Sequence, residues 1–221
     1  VENWPAGPNP GGNPGIEQCD IEAMYVVDGG SDIYFAIITS MPSGGYDHYQ
    51  YGSWHHLISG DLALNMDNDL GTGENGYEYG IKLTTDSRTL SGALGDVFYL
   101  LNWEKLNPEV AQPLLAFSNM VPGAGTKIGQ AEINYSEYLD WPTDNGAPNY
   151  VIELRIPKSA LGISNGGTAD LLATVSCTND VIVIENFNYS EIPEFTTIAI
   201  PVGMIIGLFY LFRRKRQSKG E

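Results

Sequence analysis

Positive charge, histidine and cysteine are all scarce in this chain. Against 27 Asp plus Glu it carries 11 Lys plus Arg, 3 His and 2 Cys in 221 residues. Five of the cations, Arg213, Arg214, Lys215, Arg216 and Lys219, crowd the extreme end, so residues 1–195 hold 26 acidic against 6 basic side chains. Such a surface repels phosphate, which excludes nucleic acid as a partner. It suits solubility in a salty medium or capture of cations. His-Glu-x-x-His and Cys-x-x-Cys-His are missing, so zincin and c-type haem readings lack their defining residues. Carboxylate pairs are too common for any one pair to mark a glycosidase. No enzyme and no nucleotide cofactor are expected.

Helical periodicity is missing as well. No window before residue 192 repeats apolar residues every 3.6 positions for more than a turn or two. Short runs of β-branched and aromatic residues separated by Gly, Pro, Asn and Asp occupy that length instead. The expected fold is all-β, an antiparallel β-sandwich of jelly-roll or immunoglobulin-like type with about nine or ten strands. The strands expected are 21–27, 33–39, 61–66, 77–83, 97–103, 114–117, 127–135, 150–156, 169–177 and 181–187. A Tyr/His-rich loop is expected up to His56, and a single helical turn at 157–161, where Pro157 suits a first helical position.

Long apolar runs are absent until the end, where residues 196–212 carry no charge over seventeen positions. At ~1.5 Å per residue such a helix roughly matches the bilayer core, so one C-terminal transmembrane helix is expected. The cations after it set the orientation, with 213–221 as a basic cytoplasmic tail and everything before Pro193 outside the cell. Residues 1–15, with four prolines and four glycines, read as an extended arm. Residues 16–187 form the extracellular domain and 188–195 the linker. The start shows no basic n-region or apolar h-region, so a signal peptide already removed is expected. Outside the cell Cys19 and Cys177 can hold a disulfide, two buried free thiols being the alternative. Asn134-Tyr135-Ser136 and Asn188-Tyr189-Ser190 are candidate N-glycosylation sites.

The order Pro193-Glu194-Phe195, apolar helix, Arg-rich stub resembles the PEF-CTERM sorting signal of archaeal surface proteins. The resemblance implies membrane association and processing by an archaeosortase-type enzyme. Within the domain, Ile33-Tyr34-Phe35-Ala36-Ile37 after an Asp/Gly turn, and Tyr150 to Pro157 leading into Leu161-Gly162, resemble the DOMON and family 9 carbohydrate-binding-module group. That likeness implies a β-sandwich. Gly60 to Asn65, Tyr77 to Ile81 and Cys177-Thr178-Asn179-Asp180 are similar to segments of exosortase- and archaeosortase-dependent surface proteins.

The densest candidate site is the acidic, Gly-rich stretch from Asn65 to Glu78. Ca²⁺ takes six to eight oxygens. Asn65, Asp67 and Asp69, with Glu74, Glu78 and Asp61, offer such oxygens around one turn. The spacing is not that of an EF-hand, since Leu70 and Gly76 fall where Gly and Glu are needed; a solvated acidic hairpin is the alternative. Asp28 with Asp32, and Asp140 with Asp144, are weaker loops of the same kind. His48, His55 and His56 share one aromatic loop, but consecutive histidines on an extended strand face opposite sides, so haem or copper is the least supported reading. Trp54, Tyr51 and Trp141 are candidate sugar-stacking platforms, whereas Trp103 is expected in the core. The function expected is a structural protein of the archaeal cell surface, a calcium-stabilised sandwich that associates with copies of itself. The alternatives are a surface carbohydrate-binding module and a DOMON-like redox domain.

Overall fold

The computed structural model describes residues 20–50, 52–73, 76–100, 103–105, 117–121, 123, 125–138, 148–176 and 180–192. The chain divides into two compact units, residues 1–191 and 192–221, and the described elements all belong to the first. The expectations for the arm 1–15, Cys19, Cys177, Tyr51, Glu74, Trp141, Asp140, Asp144, Pro193, Glu194, Phe195, the span 196–212 and the tail 213–221 lie outside the described residues. Among the described residues no helix is long and apolar enough to cross a membrane.

The first unit is all-β and antiparallel. Strand β1 (Ile21–Asp28) turns into β2 (Asp32–Thr39), and with β12 (Asn149–Pro157) and β11 (Glu132–Tyr138) they make a four-stranded sheet in the order β1-β2-β12-β11. A six-stranded sheet follows the order β10-β7-β6-β5-β13-β14, from β5 (Leu62–Asn65), β6 (Tyr79–Ile81), β7 (Asp96–Leu100), β10 (Gly125–Gln130), β13 (Gly167–Thr174) and β14 (Val181–Tyr189). Two hairpins complete the set, β3 (Tyr46–Gln50) with β4 (Ser53–Leu57), and β8 (Trp103–Lys105) with β9 (Phe117–Met120).

Alternation decides which side chains meet. Ile33, Phe35 and Ile37 on β2, with Ile152, Leu154 and Ile156 on β12, point to one face because successive strand residues alternate. They share a single buried cluster with Leu62, Leu64, Ile81, Val97 and Leu171 of the six-stranded sheet. The opposite residues of that sheet, Ala63, Phe98 and Leu172, pack with Trp103 and Met120 of the β8–β9 hairpin in a second cluster. Every residue of β5 is therefore buried, which explains why Leu62-Ala63-Leu64 reads as a continuous apolar run rather than an alternating one. Trp103 lies in this core at 2 % exposure and donates its indole N–H to the Tyr77 carbonyl at 2.9 Å.

Several boundaries differ from the sequence expectation. The Tyr/His-rich stretch is a hairpin, His48 opposite His55 and Tyr49 opposite Trp54, because aromatic and imidazole side chains suit a strand without any apolar face to announce it. The run 127–135 splits at Ala131, where the chain leaves the six-stranded sheet for the four-stranded one. There Ala131 N–H donates to the Gly95 carbonyl at 2.7 Å. Gly95 sits at φ +79°, and a Cβ on it would come within 2.4 Å of the Ala131 oxygen, so only glycine permits the corner. The helical turn is present as a 3-10 turn over Lys158–Leu161.

The two chain segments beside the cysteines meet in the described residues: Ile21 N–H donates to Asp180 Oδ2 at 2.8 Å. Asp180 is 5 % exposed. Burial pushes its carboxyl well above the ordinary 3.8, the hydrogen bond that the protonated carboxyl donates to Asp20 pushes the same way, and the amides of Ile21 and Val181 pull it back. The folded chain thus keeps a proton that the unfolded chain gives up near pH 4. This stabilisation is complete below the unfolded pKa and is lost as pH rises through the folded one, about 1.4 kcal/mol for each unit of elevation. Asp180→Asn keeps an acceptor for Ile21 without the titration. Urea unfolding from pH 4 upward should show the wild type losing stability relative to Asp180→Asn, and parallel curves would refute the assignment.

Candidate functional site

Register builds the site. β5 and β6 pair Leu62 with Ile81, Ala63 with Gly80 and Leu64 with Tyr79, and Asn65 and Glu78 are the next residues along the chain at this end of the pairing. On the other side β13 sets Asp170 opposite Asn65. Gly76, at φ +87°, lies so near that a Cβ would come within 2.8 Å of Asn65 Nδ2.

Asn65 and Glu78 are both buried without full partners among the described residues. Asn65 is 0 % exposed, and among the described residues neither its Oδ1 nor its Nδ2 meets a hydrogen-bonding group. Glu78 is 4 % exposed; its Oε1 accepts from Met66 N–H at 2.8 Å, but Oε2 has no partner. Burial pushes the Glu78 carboxyl up to about 7, with the Asp67 charge adding to it and the Met66 amide working against it. Each buried polar atom without a partner costs ~1–3 kcal/mol. Native folds rarely leave several together unless something else satisfies them.

The remaining residues of the expected calcium loop go elsewhere. Asp67 Oδ1 accepts from Asp69 N–H at 2.9 Å and from the Thr72 hydroxyl at 3.0 Å, and Asp69 Oδ1 accepts from Gly71 N–H at 2.8 Å. Both carboxylates are exposed and fold back on their own loop, as short Asx side chains do in turns. Asp61 is fully buried at the far end of β5, where its oxygens accept from Leu83 N–H and Met120 N–H, each at 3.0 Å. It ties the β8–β9 hairpin to the sheet and does not face the loop. Among the described residues no three His, Cys, Asp or Glu side chains gather closely enough to hold a metal by themselves. Of the expected ligands among the described residues, Asn65 and Glu78 are the two that present buried oxygens without a partner.

Asp28 and Asp32 part company in the same way. Asp28 Oδ1 lies 2.8 Å from the Lys158 ammonium, and its Oδ2 accepts from Ser190 N–H at 2.5 Å and from the Ser190 hydroxyl at 2.6 Å. Asp32 pairs with Arg155 at 3.4 Å. Among the histidines, His56 Nδ1 lies 2.6 Å from Asp47 Oδ1. Trp54 is 72 % exposed, and its ring centroid lies 5.3 Å from that of Tyr49, an aromatic pair on the surface hairpin.

A Gly-x-Ser-x-Gly pentapeptide runs from Gly162 to Gly166. A nucleophile elbow needs a strand before it and a helix after it. Here a 3-10 turn precedes and β13 follows, Ser164 is exposed, and the three histidines all lie between residues 48 and 56. The spelling is that of a surface turn.

The described chain ends in a fixed position. Lys158 is 0 % exposed, although a lysine in a Pro-Lys-Ser turn reads as a solvated residue. Its ammonium donates to the Ser190 carbonyl at 2.5 Å and lies 5.7 Å from the Tyr189 ring centroid. Burial raises the Asp28 carboxyl, but the bonds from Lys158 and Ser190 outweigh it and hold the group far below its ordinary value. The turn between β1 and β2, the turn after β12 and the end of β14 are thereby clamped together at Ser190.

Two residues later another kind of sequence begins. Residues 192–216 match the PEF-CTERM archaeal protein sorting domain. The PEF-CTERM match supports a cell-surface protein with a C-terminal sorting signal, carried behind a β-rich domain. No curated protein and no solved structure matches the chain.

Proposed function

We propose that this chain is a non-enzymatic structural protein of the archaeal cell surface, a calcium-stabilised β-sandwich sorted by its C-terminal segment and processed there by an archaeosortase-type enzyme. The observation that carries the reading is the PEF-CTERM match over 192–216, directly behind a domain clamped shut at Ser190. The sandwich rests on two antiparallel sheets that share one core. The calcium rests on Asn65 and Glu78: an amide oxygen and a carboxylate oxygen are the hard donors Ca²⁺ prefers, and both are buried without a partner. Backbone carbonyls and water would supply the rest of the shell. The disulfide between Cys19 and Cys177 accords with the contact of Ile21 with Asp180. Self-association is the remaining element, and the charge of residues 1–195 makes it dependent on bound cations or high salt.

The sorting step is tested by replacing Pro193, Glu194 and Phe195 together with alanine. The wild-type chain should reach the surface in a shortened form, while the triple variant should accumulate at full length in the membrane fraction. Equal processing of the two would remove the sorting signal from the account.

A further inference from the structure

The outer face of the four-stranded sheet carries a groove of about 660 Å³ lined by residues of all four strands. Its composition follows from register. One row across the sheet reads Tyr25, Ala36, Glu153, Asn134, and the next reads Val27, Tyr34, Arg155, Glu132. One bank is apolar and open to solvent, with Tyr25 at 53 %, Val27 at 61 % and Tyr34 at 42 % exposure. The opposite bank is polar: Asn134 Nδ2 donates to Glu153 Oε2 at 3.1 Å, and Arg155 donates to Glu132 Oε1 at 2.9 Å. Exposed aromatic rings facing a row of hydrogen-bonding groups match one ligand chemistry well, that of a sugar, which has apolar ring faces and a rim of hydroxyls.

The same groove contains a means of attaching one. Asn134-Tyr135-Ser136 is a glycosylation sequon, and Asn134 and Ser136 are both exposed on the edge strand β11. We propose that Asn134 carries an N-linked oligosaccharide and that this glycan, rather than another protein, lies along the groove with its rings against Tyr34 and Tyr25. In the attachment step Asn134 Nδ2 forms a bond to C1 of the first sugar of a lipid-phosphate-linked oligosaccharide. The C1–O bond of that donor breaks, the lipid phosphate leaves with the electron pair, and the amide nitrogen gives up one proton. The nitrogen keeps its other hydrogen, so the bond to Glu153 survives. Strands are ~4.8 Å apart, which puts β2 about 10 Å and β1 about 14 Å from β11, within reach of a short oligosaccharide. Asn188, the other sequon, is exposed on β14 in the other sheet and has no part in this groove.

The test uses the full chain purified from its native surface. Mass spectrometry of the peptide containing Asn134 should show added sugar masses, lost in Asn134→Gln and kept in Asn188→Gln. Tyr25→Ala with Tyr34→Ala should leave occupancy unchanged while a glycosidase trims the glycan about fivefold faster, the factor expected when a stacking contact of ~1 kcal/mol is removed. An unmodified Asn134 overturns the proposal, whether the groove is then found empty or covered by a second copy. An occupied Asn134 whose trimming rate ignores both tyrosines overturns the seat in the groove.

Discussion

Calcium added to the chelated protein should raise its melting temperature by about 5–10 °C. A ligand at a hundred times its Kd stabilises by ~2.7 kcal/mol, and a domain of this size shifts by ~2–4 °C per kcal/mol. The gain should vanish in Glu78→Gln, which keeps the size of the side chain and its bond to Met66 N–H but removes the charge that neutralises the ion. The control is a reversal. Without calcium at pH 8 the buried, ionised Glu78 is a liability, because burial has pushed its carboxyl up to about 7. Glu78→Gln should then melt no lower than the wild type, and only calcium should make the wild type the more stable of the two. Calorimetry on both proteins, with EDTA and with calcium, decides the matter; an unchanged wild-type midpoint removes the ion from this site.

Lys158→Met should lower stability by about 3 kcal/mol, or roughly 6–12 °C, because removing one partner of a buried ion pair strands the other. The ammonium is fully buried and holds Asp28 and the Ser190 carbonyl at once, so its loss unfastens three segments rather than one pair. Asp28→Asn should also destabilise, since the amide can still accept from Ser190 N–H but leaves the buried ammonium without its counter-charge. The depressed Asp28 carboxyl contributes stability that is present above its unfolded value near 3.8 and fades as pH falls through its folded one. Denaturant unfolding measures both variants, and a loss below ~1 kcal/mol in Lys158→Met would contradict the clamp.

What could be read from the sequence follows the physics of each signal. The hairpin of β1 and β2 was legible because its inward residues alternate with outward ones around an Asp/Gly turn. The stretch up to His56 read as a loop because its Tyr, His and Asp residues do not alternate apolar with polar. The acidic loop was found by its Asp-x-Asp spacing, but spacing does not say where a carboxylate points. Asp67 and Asp69 turn back to amides of their own loop, while Asn65 and Glu78 are brought to the same end of the sheet only by the pairing of β5 with β6. Lys158 gave no signal at all, since burial of a single cation is a property of the assembled sheets. The sorting segment was legible because its three ordered parts are contiguous in the chain and need no fold to bring them together.

The central claim is that this domain is displayed on the cell surface through its C-terminal signal. The direct measurement is the intact mass of the native protein in isolated cell envelopes. The account predicts a chain that lacks at least residues 213–221 and carries sugar mass on the outer domain. A chain ending at Glu221, or a protein found only inside the cell, would contradict it.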